Sequence, residues 1–138
     1  MEPIATTTAV TFDGHTATIS GVRFSHMDHC TRCRNAITAH TDGGTIRAGI
    51  RAVTSTHRGR RSQALRWFWV NEPSGRPVAP PVCPNCGVER PNVVNRFTAY
   101  GPTPDPEAYD VLRTVWVTIR RDFPDVAAVA DQNERGAR

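Results

Sequence analysis

Two short stretches decide how this 138-residue chain folds: Cys30-Thr31-Arg32-Cys33 and Cys83-Pro84-Asn85-Cys86-Gly87. A gap of two residues lets both sulfurs of a pair bind one ion while the backbone turns tightly beneath them. Gly87 suits the positive φ with which such a turn often ends. Because two such turns supply four thiolates, the spacing predicts one metal ion in a tetrahedral site formed by Cys30, Cys33, Cys83 and Cys86.

The donor set favours zinc in a structural role. Four protein ligands leave no open position for water, so the ion is predicted to brace the fold and not to hydrolyse a substrate. Three alternatives use the same cysteines: iron in a four-thiolate site, disulfides in an oxidising compartment, or a redox-active Cys-x-x-Cys, which usually opens a helix beside a strand. His26 and His29 lie near Cys30, but histidines beside a metal more often donate hydrogen bonds or face solvent. We therefore predict one structural Zn2+.

The paired pattern resembles the zinc-ribbon class, whose two knuckles are each commonly written Cys-x-x-Cys. The second knuckle, Cys83-Pro84-Asn85-Cys86-Gly87, is the closer match, whereas residues 34–82 form a longer insertion than compact ribbons have. The resemblance implies metal ligation by the same four cysteines. Since zinc ribbons serve in nucleic-acid binding, in protein contacts and inside larger enzymes, it does not by itself give the function.

The sequence predicts a cytoplasmic, intracellular protein with no membrane contact. No early segment has the basic start, apolar middle and small-residue cleavage site of a secretory signal. No apolar run approaches the roughly 20 residues that cross a bilayer. In a reducing cytosol, paired cysteines favour metal binding over disulfides.

Positive charge is concentrated between and around the cysteine pairs. The chain has 17 arginines and no lysine, a bias typical of GC-rich coding, so the placement of the arginines is more informative than their number. Residues 30–86 carry nine arginines against Asp42 and Glu72, a net charge of +7, whereas residues 1–29 and 87–138 carry −2 and −1. This basic middle is typical of a protein that meets an acidic partner such as nucleic acid.

Alternation along the chain predicts an antiparallel sheet. Residues 9–12 and 15–19 flank Asp13-Gly14, a pair typical of a type I′ hairpin turn. Strands are then predicted at Thr45–Thr54 and Ala64–Val70, joined by a polar hairpin loop. On the first of these, Ile46, Ala48, Ile50 and Ala52 share one face, while Arg47, Gly49 and Arg51 share the other. The loop covers residues 55–62, and residues 93–99 form a further candidate strand.

One amphipathic helix is predicted near the C-terminus. Thr103 or Asp105 can cap its start, and Pro124 discourages its continuation past Phe123. The overall expectation is an α+β fold in which one domain of residues 1–130 combines a small antiparallel sheet, a four-cysteine zinc-ribbon-like site and this helix. Residues 131–138 are expected to form a flexible tail. The apolar stripe of the helix comprises Tyr109, Leu112, Val115, Trp116, Ile119 and Phe123.

The preferred functional hypothesis is nucleic-acid binding, to DNA or RNA, through an arginine-rich β-hairpin. Guanidinium groups pair with phosphate oxygens, and a two-stranded ribbon can enter a major groove. A solvated surface loop is the plainer alternative. Trp67, Phe68 and Trp69 offer a surface for base stacking, but a small sheet needs such residues in its core. The candidate contact residues are Arg47, Arg51, Arg58, Arg60, Arg61 and Arg66.

A second hypothesis is a zinc-stapled protein-interaction module that acts as an accessory or inhibitory factor. Its contact face, for a protein partner or a homodimer, consists of helix positions at heptad spacing, although packing on the chain's own sheet explains them more simply. No phosphate-cradling glycine loop, nucleophile elbow or His-Glu-x-x-His is present, so no enzymatic activity is predicted. The positions of this candidate face are Tyr109, Leu112, Trp116, Ile119 and Phe123.

Overall fold

The computed structural model describes residues 9–94 and 102–136 and has the predicted α+β architecture. Four long antiparallel strands lie in the order β1-β2-β3-β4, and two short strands pair with β2. Two helices follow. Residues 95–99 of the candidate strand 93–99 lie outside the described residues. The elements are β1 (Ala9–Asp13), β2 (Thr16–Cys30), β3 (Ala36–His57), β4 (Arg60–Glu72), β5 (Val93–Val94), β6 (Thr103–Pro104), α1 (Pro106–Asp122) and α2 (Pro124–Gly136).

Both hairpins differ from the sequence prediction at their turns: the first two-residue turn is shifted by one residue, and the second turn is shorter than the predicted loop. Asp13 pairs with Thr16, so the first turn consists of Gly14 and His15, and only Gly14 has positive φ, as in a type II′ turn. The second turn is Arg58-Gly59, with φ of 53° and 77°, as in a type I′ turn. The predicted loop at residues 55–62 was therefore wrong, because a two-residue turn keeps its polar neighbours in register as β3 and β4.

One face of the sheet packs beneath the helices and forms the main core. Ile46, Ala48 and Ile50 are buried there, as predicted, together with Ala17 and Ile19 of β2. Ala52, predicted on the same inward face, is exposed. The helical side of this core is formed by Ala108, Leu112, Val115, Ile119, Ala127 and Ala130.

A second helix, which the sequence analysis did not predict, follows the first after a single residue. Pro124 ends α1 but fits the first turn of α2, where no backbone N–H is needed. The helix is tied to β4 because Asn133 Nδ2 donates to Leu65 O at 2.7 Å. Residues 131–136, expected to belong to a flexible tail, are therefore helical. Neither helix in the described part of the chain is long and apolar enough to cross a membrane.

The apolar stripe of α1 is used inside the protein. Leu112 and Ile119 are 2% and 0% exposed, and Trp116 meets Trp67 of β4 edge-on with ring centroids 5.2 Å apart. Phe123 contacts His15 in the same geometry at 5.9 Å. Tyr109 is 39% exposed and packs against the ring of Trp69. The stripe predicted as a face for a partner or dimer instead covers the chain's own sheet, whose apolar face would otherwise meet water.

Candidate metal centre

The two cysteine pairs form knuckles with the same backbone hydrogen bonds. Cys30 is the last residue of β2; its N–H donates to Asn35 O at 3.0 Å, and its carbonyl accepts from Arg34 N–H at 2.7 Å. In the second knuckle, Cys83 N–H donates to Val88 O and Cys83 O accepts from Gly87 N–H, both at 2.9 Å. Equivalent bonds at equivalent offsets show that both pairs turn in the same way beneath one site.

The residue after each pair takes positive φ. Gly87 has φ of 76°, as its sequence context predicts, and Arg34 has φ of 65° at the matching position of the first knuckle. A side chain in this region costs roughly 1–2 kcal/mol, which glycine avoids. The first knuckle therefore adopts the same turn as the second although it has arginine and not glycine at this position.

The four sulfurs lie at distances suited to one tetrahedral ion. All four are within 4.8 Å of one another; Cys30 Sγ to Cys86 Sγ is 3.9 Å, and Cys33 Sγ to Cys83 Sγ is 3.8 Å. A tetrahedron with metal–sulfur bonds of about 2.3 Å has edges of about 3.8 Å. None of the four forms a disulfide. The cluster could therefore hold one metal ion, which is consistent with the predicted zinc-ribbon-like site.

The electrostatics of the cluster favour a bound cation. Burial opposes ionisation of the Cys83 thiol, but hydrogen bonds from the backbone N–H groups of Cys86 and Asn85 and from the side chains of Cys86 and Cys33 together outweigh it and lower the pKa of Cys83 to about 7. At Cys86 the backbone N–H of Val88 favours the thiolate, but burial and hydrogen bonds with the other three cysteines raise the pKa to about 11. Because adjacent thiolates repel one another, full ionisation requires a metal, whose binding then releases the protons.

Contacts outside the sulfurs hold the knuckles together across a long sequence interval. Asn85 Nδ2 donates to Ala36 O at 3.0 Å, and Thr31 N–H donates to Asn92 O at 2.9 Å. His40 and Val78 exchange both backbone bonds, so the proline-rich connection returns along the edge of β3. The buried residues of this small second core are Cys30, Ile37 and Cys83, with Cys33, Ala79, Val88 and Val93 packed against them.

No histidine joins the metal-binding group within residues 9–94 and 102–136. His26 is 8% exposed, and its Nε2 lies 3.2 Å from Thr41 Oγ1. Burial lowers the pKa of His26; Asp28 acts in the opposite direction and His40 in the same direction. His26 is thus a buried residue of β2, whereas the plainer interpretation expected a hydrogen bond beside the metal or a solvent-facing side chain.

Three of the six candidate arginines, Arg47, Arg51 and Arg66, lie by strand alternation on the sheet face opposite the core, and each makes a contact within the chain. Arg47 is paired with Glu72 at 2.8 Å, and Arg66 reaches Glu134 of α2 at 3.3 Å. Arg51 lies over the ring of Phe68, 4.3 Å from its centroid. Sequence reasoning missed the contact with Glu134 because it did not predict α2. The remaining three, Arg58, Arg60 and Arg61, lie at the exposed tip of the β3–β4 hairpin.

The three consecutive aromatic residues of β4, Trp67, Phe68 and Trp69, lie on alternating faces of the sheet. Trp67 packs in the core, where its Nε1 donates to Asp131 Oδ1 at 2.9 Å and Arg120 lies over its ring. Trp69 is 43% exposed, with its ring edge against Tyr109. Phe68 lies on the opposite face. The plainer interpretation as core therefore holds for Trp67, whereas Phe68 and Trp69 remain accessible at the surface.

Comparison of the chain with protein-family models, with curated proteins and with solved structures gave no significant match. The functional proposal is therefore based on the geometry of the chain itself.

Proposed function

We propose that this chain is a zinc-stabilised protein that binds nucleic acid through the projecting tip of its β3–β4 hairpin. The role is one of binding and not of catalysis. The observation that carries the proposal is a two-stranded arm, defined as residues 53–64, which extends beyond the rest of the sheet. Pairing between β2 and β3 begins at Thr16 and Gly49, so no third strand flanks the arm within residues 9–94 and 102–136.

The dimensions of the arm suit a nucleic-acid groove. Its pairs run from Val53 with Ala64 to His57 with Arg60, five residues on each strand. At about 3.3 Å per residue this gives a ribbon roughly 16 Å long. A B-DNA major groove, about 12 Å wide and 8.5 Å deep, admits a two-stranded β-ribbon. All arm residues are exposed except Val53 and Ala64, which are half-buried.

The charge of the arm supports an anionic partner. It contains Arg58, Arg60 and Arg61 and no acid, and no described carboxylate pairs with any of the three. Strand alternation sends Arg60 and Arg61 to opposite faces, while Arg58 occupies the turn. Guanidinium groups with unused donors bind phosphate bidentately. Hydroxyl groups that can bond to phosphates or base edges lie beside them on Thr54, Ser55, Thr56 and Ser62.

Zinc is the proposed ion because four thiolates in a closed tetrahedral set match its preferred structural site. The ion would join the turn between β2 and β3 to residues 83–86 and so hold the far end of β3 in place. A rigid strand is needed for an arm to present its tip in one orientation. The apolar stripe of α1 gives less support to the protein-interaction alternative, because Leu112 and Ile119 are buried in the core and Trp116 and Phe123 pack against it.

The test compares two triple variants of equal charge. Arg58, Arg60 and Arg61 are changed to Ala in one, and Arg76, Arg113 and Arg135, exposed arginines elsewhere, in the other. Fluorescence anisotropy with labelled duplex DNA, single-stranded DNA and RNA is recorded across a salt series. We expect the arm variant to bind at least about tenfold more weakly. The slope of its log binding constant against log salt concentration should also become less steep by about 3. Equal losses in both variants would show only a general charge effect and would contradict the proposal.

A further inference from the structure

A cavity lies on the sheet face opposite the helices. It has a volume of about 250 Å3 and is lined by side chains from all four long strands and the β1–β2 turn region. Strand alternation places Arg47 and Arg51 on this face, because Ile46, Ala48 and Ile50 point into the core. Its polar and aromatic lining comprises Asp13, Thr16, Thr18, Arg47, Arg51 and Phe68.

Strand register explains why a cavity forms here. Thr16, Gly49 and Phe68 stand side by side on three adjacent strands, and Arg47 and Arg51 precede and follow Gly49 by two residues. Gly49 carries no side chain, so the two arginines stand apart with space between them. Glycine is required at this position, because its φ is 139° and a Cβ would lie 2.4 Å from His15 O.

The guanidinium of Arg51 is held in place by a ring contact, and its N–H donors remain available to a ligand. It stacks 4.3 Å from the centroid of Phe68, a contact that uses the flat face of the group and leaves its in-plane N–H donors available. No described residue accepts a side-chain hydrogen bond from Arg51. Arg47 gives one N–H to Glu72 and retains the others. Two guanidinium groups with spare donors in one cavity provide the bidentate geometry that phosphate requires.

Asp13 favours a phosphate that carries a sugar over a bare phosphate. Asp13 lines the same cavity, and its negative charge disfavours a bare phosphate. Its carboxylate can, however, accept hydrogen bonds from the hydroxyl groups of a sugar that carries the phosphate. The hydroxyl of Thr16 donates to Asp13 O at 2.8 Å and fixes the start of this turn. The cavity is smaller than the roughly 300–1,000 Å3 of drug-sized pockets, so it suits one phosphate with its sugar.

We propose that this cavity binds a ribose phosphate group, with Arg51 and Arg47 on the phosphate and Asp13 on the sugar hydroxyls. The group can come from a free nucleotide or from one unit of an RNA strand. The site is separate from the arm and does not depend on nucleic-acid binding there. Phe68 acts as a positioning residue for Arg51.

The proposal is tested by 1H–15N NMR titration of the full chain with adenosine 5′-monophosphate, inorganic phosphate, adenosine and the dinucleotide ApA. We expect the monophosphate to shift the amides of residues 16–18 and the Arg51 Nε–H with a dissociation constant of about 1 mM or lower. Adenosine should shift neither, and phosphate should bind more weakly. ApA binding tighter than the monophosphate would assign the site to an RNA strand, and the reverse to a free nucleotide. No shift with either, or equal binding of phosphate and the monophosphate, would overturn the proposal.

Variants distinguish binding at this cavity from binding at the arm and from a general effect of positive charge. Arg51→Ala should weaken binding of the monophosphate at least about tenfold, and Asp13→Asn should abolish its preference over phosphate. The same spectra report whether each variant is folded. Arg113→Ala, an exposed change on α1, and the triple arm variant should both bind the monophosphate as the wild type does. Wild-type binding by Arg51→Ala would contradict the proposal, whatever the arm does.

Discussion

The two ends of the sheet are held together by different means. At the helix end, residues 17–24 and 44–50 pack beneath α1 and α2 in a continuous hydrophobic core. At the metal end, residues 26–40 and 78–93 bury only Cys30, Ile37 and Cys83 in their own cluster. Apolar burial can stabilise the first end. The second end buries too little apolar surface for this, and the proposed metal ion would supply the stabilisation that it lacks. This comparison predicts that the two ends respond differently to the same kinds of change.

The largest effect should follow loss of the metal. Chelation, or Cys83→Ser, removes a binding free energy on the order of 10 kcal/mol from the metal end, because structural zinc contributes directly to folding. Hydrogen exchange read by mass spectrometry should show lost protection at residues 26–40 and 78–94. Protection at residues 44–50 and 108–119 should persist. Asn85→Ala, which removes only the bond to Ala36 O, is the control and should keep both ends protected. Unchanged protection after chelation would contradict the comparison.

The next effect belongs to the helix end. Ile119 is 0% exposed, so Ile119→Ala should lower the free energy of unfolding by about 3 kcal/mol through lost burial and a cavity. Val117 on the same helix is 59% exposed, and Val117→Ala should change stability by less than about 0.5 kcal/mol. Denaturant unfolding followed by Trp fluorescence measures both. Similar losses in the two variants would mean that α1 does not pack on the sheet as described.

A smaller effect is expected at Gly49 of β3, which lies beside the β1–β2 turn. Gly49→Ala should cost about 2 kcal/mol, because φ is 139° and the added Cβ meets His15 O. Gly14→Ala is the matched control: its φ is 66° with no atom within 4 Å, so about 1 kcal/mol is expected. Thermal unfolding of the two variants shows which of them loses more stability. The reverse order would contradict the register between Thr16 and Gly49.

The smallest effect depends on pH. The hydrogen bonds from Arg120, and then the indole N–H of Trp67, lower the pKa of Asp131 despite partial burial. A lowered folded-state pKa means that the stabilisation is present above the unfolded value of about 3.9 and is lost as pH falls through the folded-state pKa. Asp131→Asn should therefore cost about 1 kcal/mol at neutral pH and little at acidic pH. Urea unfolding at pH 7 and pH 3 checks this; an equal cost at both would show that charge plays no part.

The sequence predicted features that depend on neighbouring residues and missed those that depend on distant ones. Thiolate spacing and alternation are local, so the sulfur cluster and the inward face at Ile46 to Ile50 could be identified. The helix α2 was missed because Pro124 indicates an end as readily as a beginning. Its contacts with Trp67 and Leu65 join residues more than 60 positions apart.

The sequence predicted an arginine-rich hairpin, but it missed the paired strands of the arm and the cavity, for related reasons. Residues 55–62 are polar and look like a loop, and the Arg58-Gly59 turn lacks the Asn or Asp that usually marks two positive φ values. The cavity brings together Asp13, Arg51 and Phe68 from different strands, and this depends on register. A shift of one residue would send these side chains to the other face of the sheet.

X-ray absorption spectroscopy of the purified protein tests the central claim, a zinc ion bound by four thiolates, most directly. The account predicts a zinc edge and a single shell of four sulfurs at about 2.3 Å, with one ion per chain by elemental analysis. The spectrum should disappear in Cys83→Ser. An iron edge, nitrogen or oxygen in the first coordination shell, or a folded protein that holds no metal and has paired its cysteines as disulfides would contradict it.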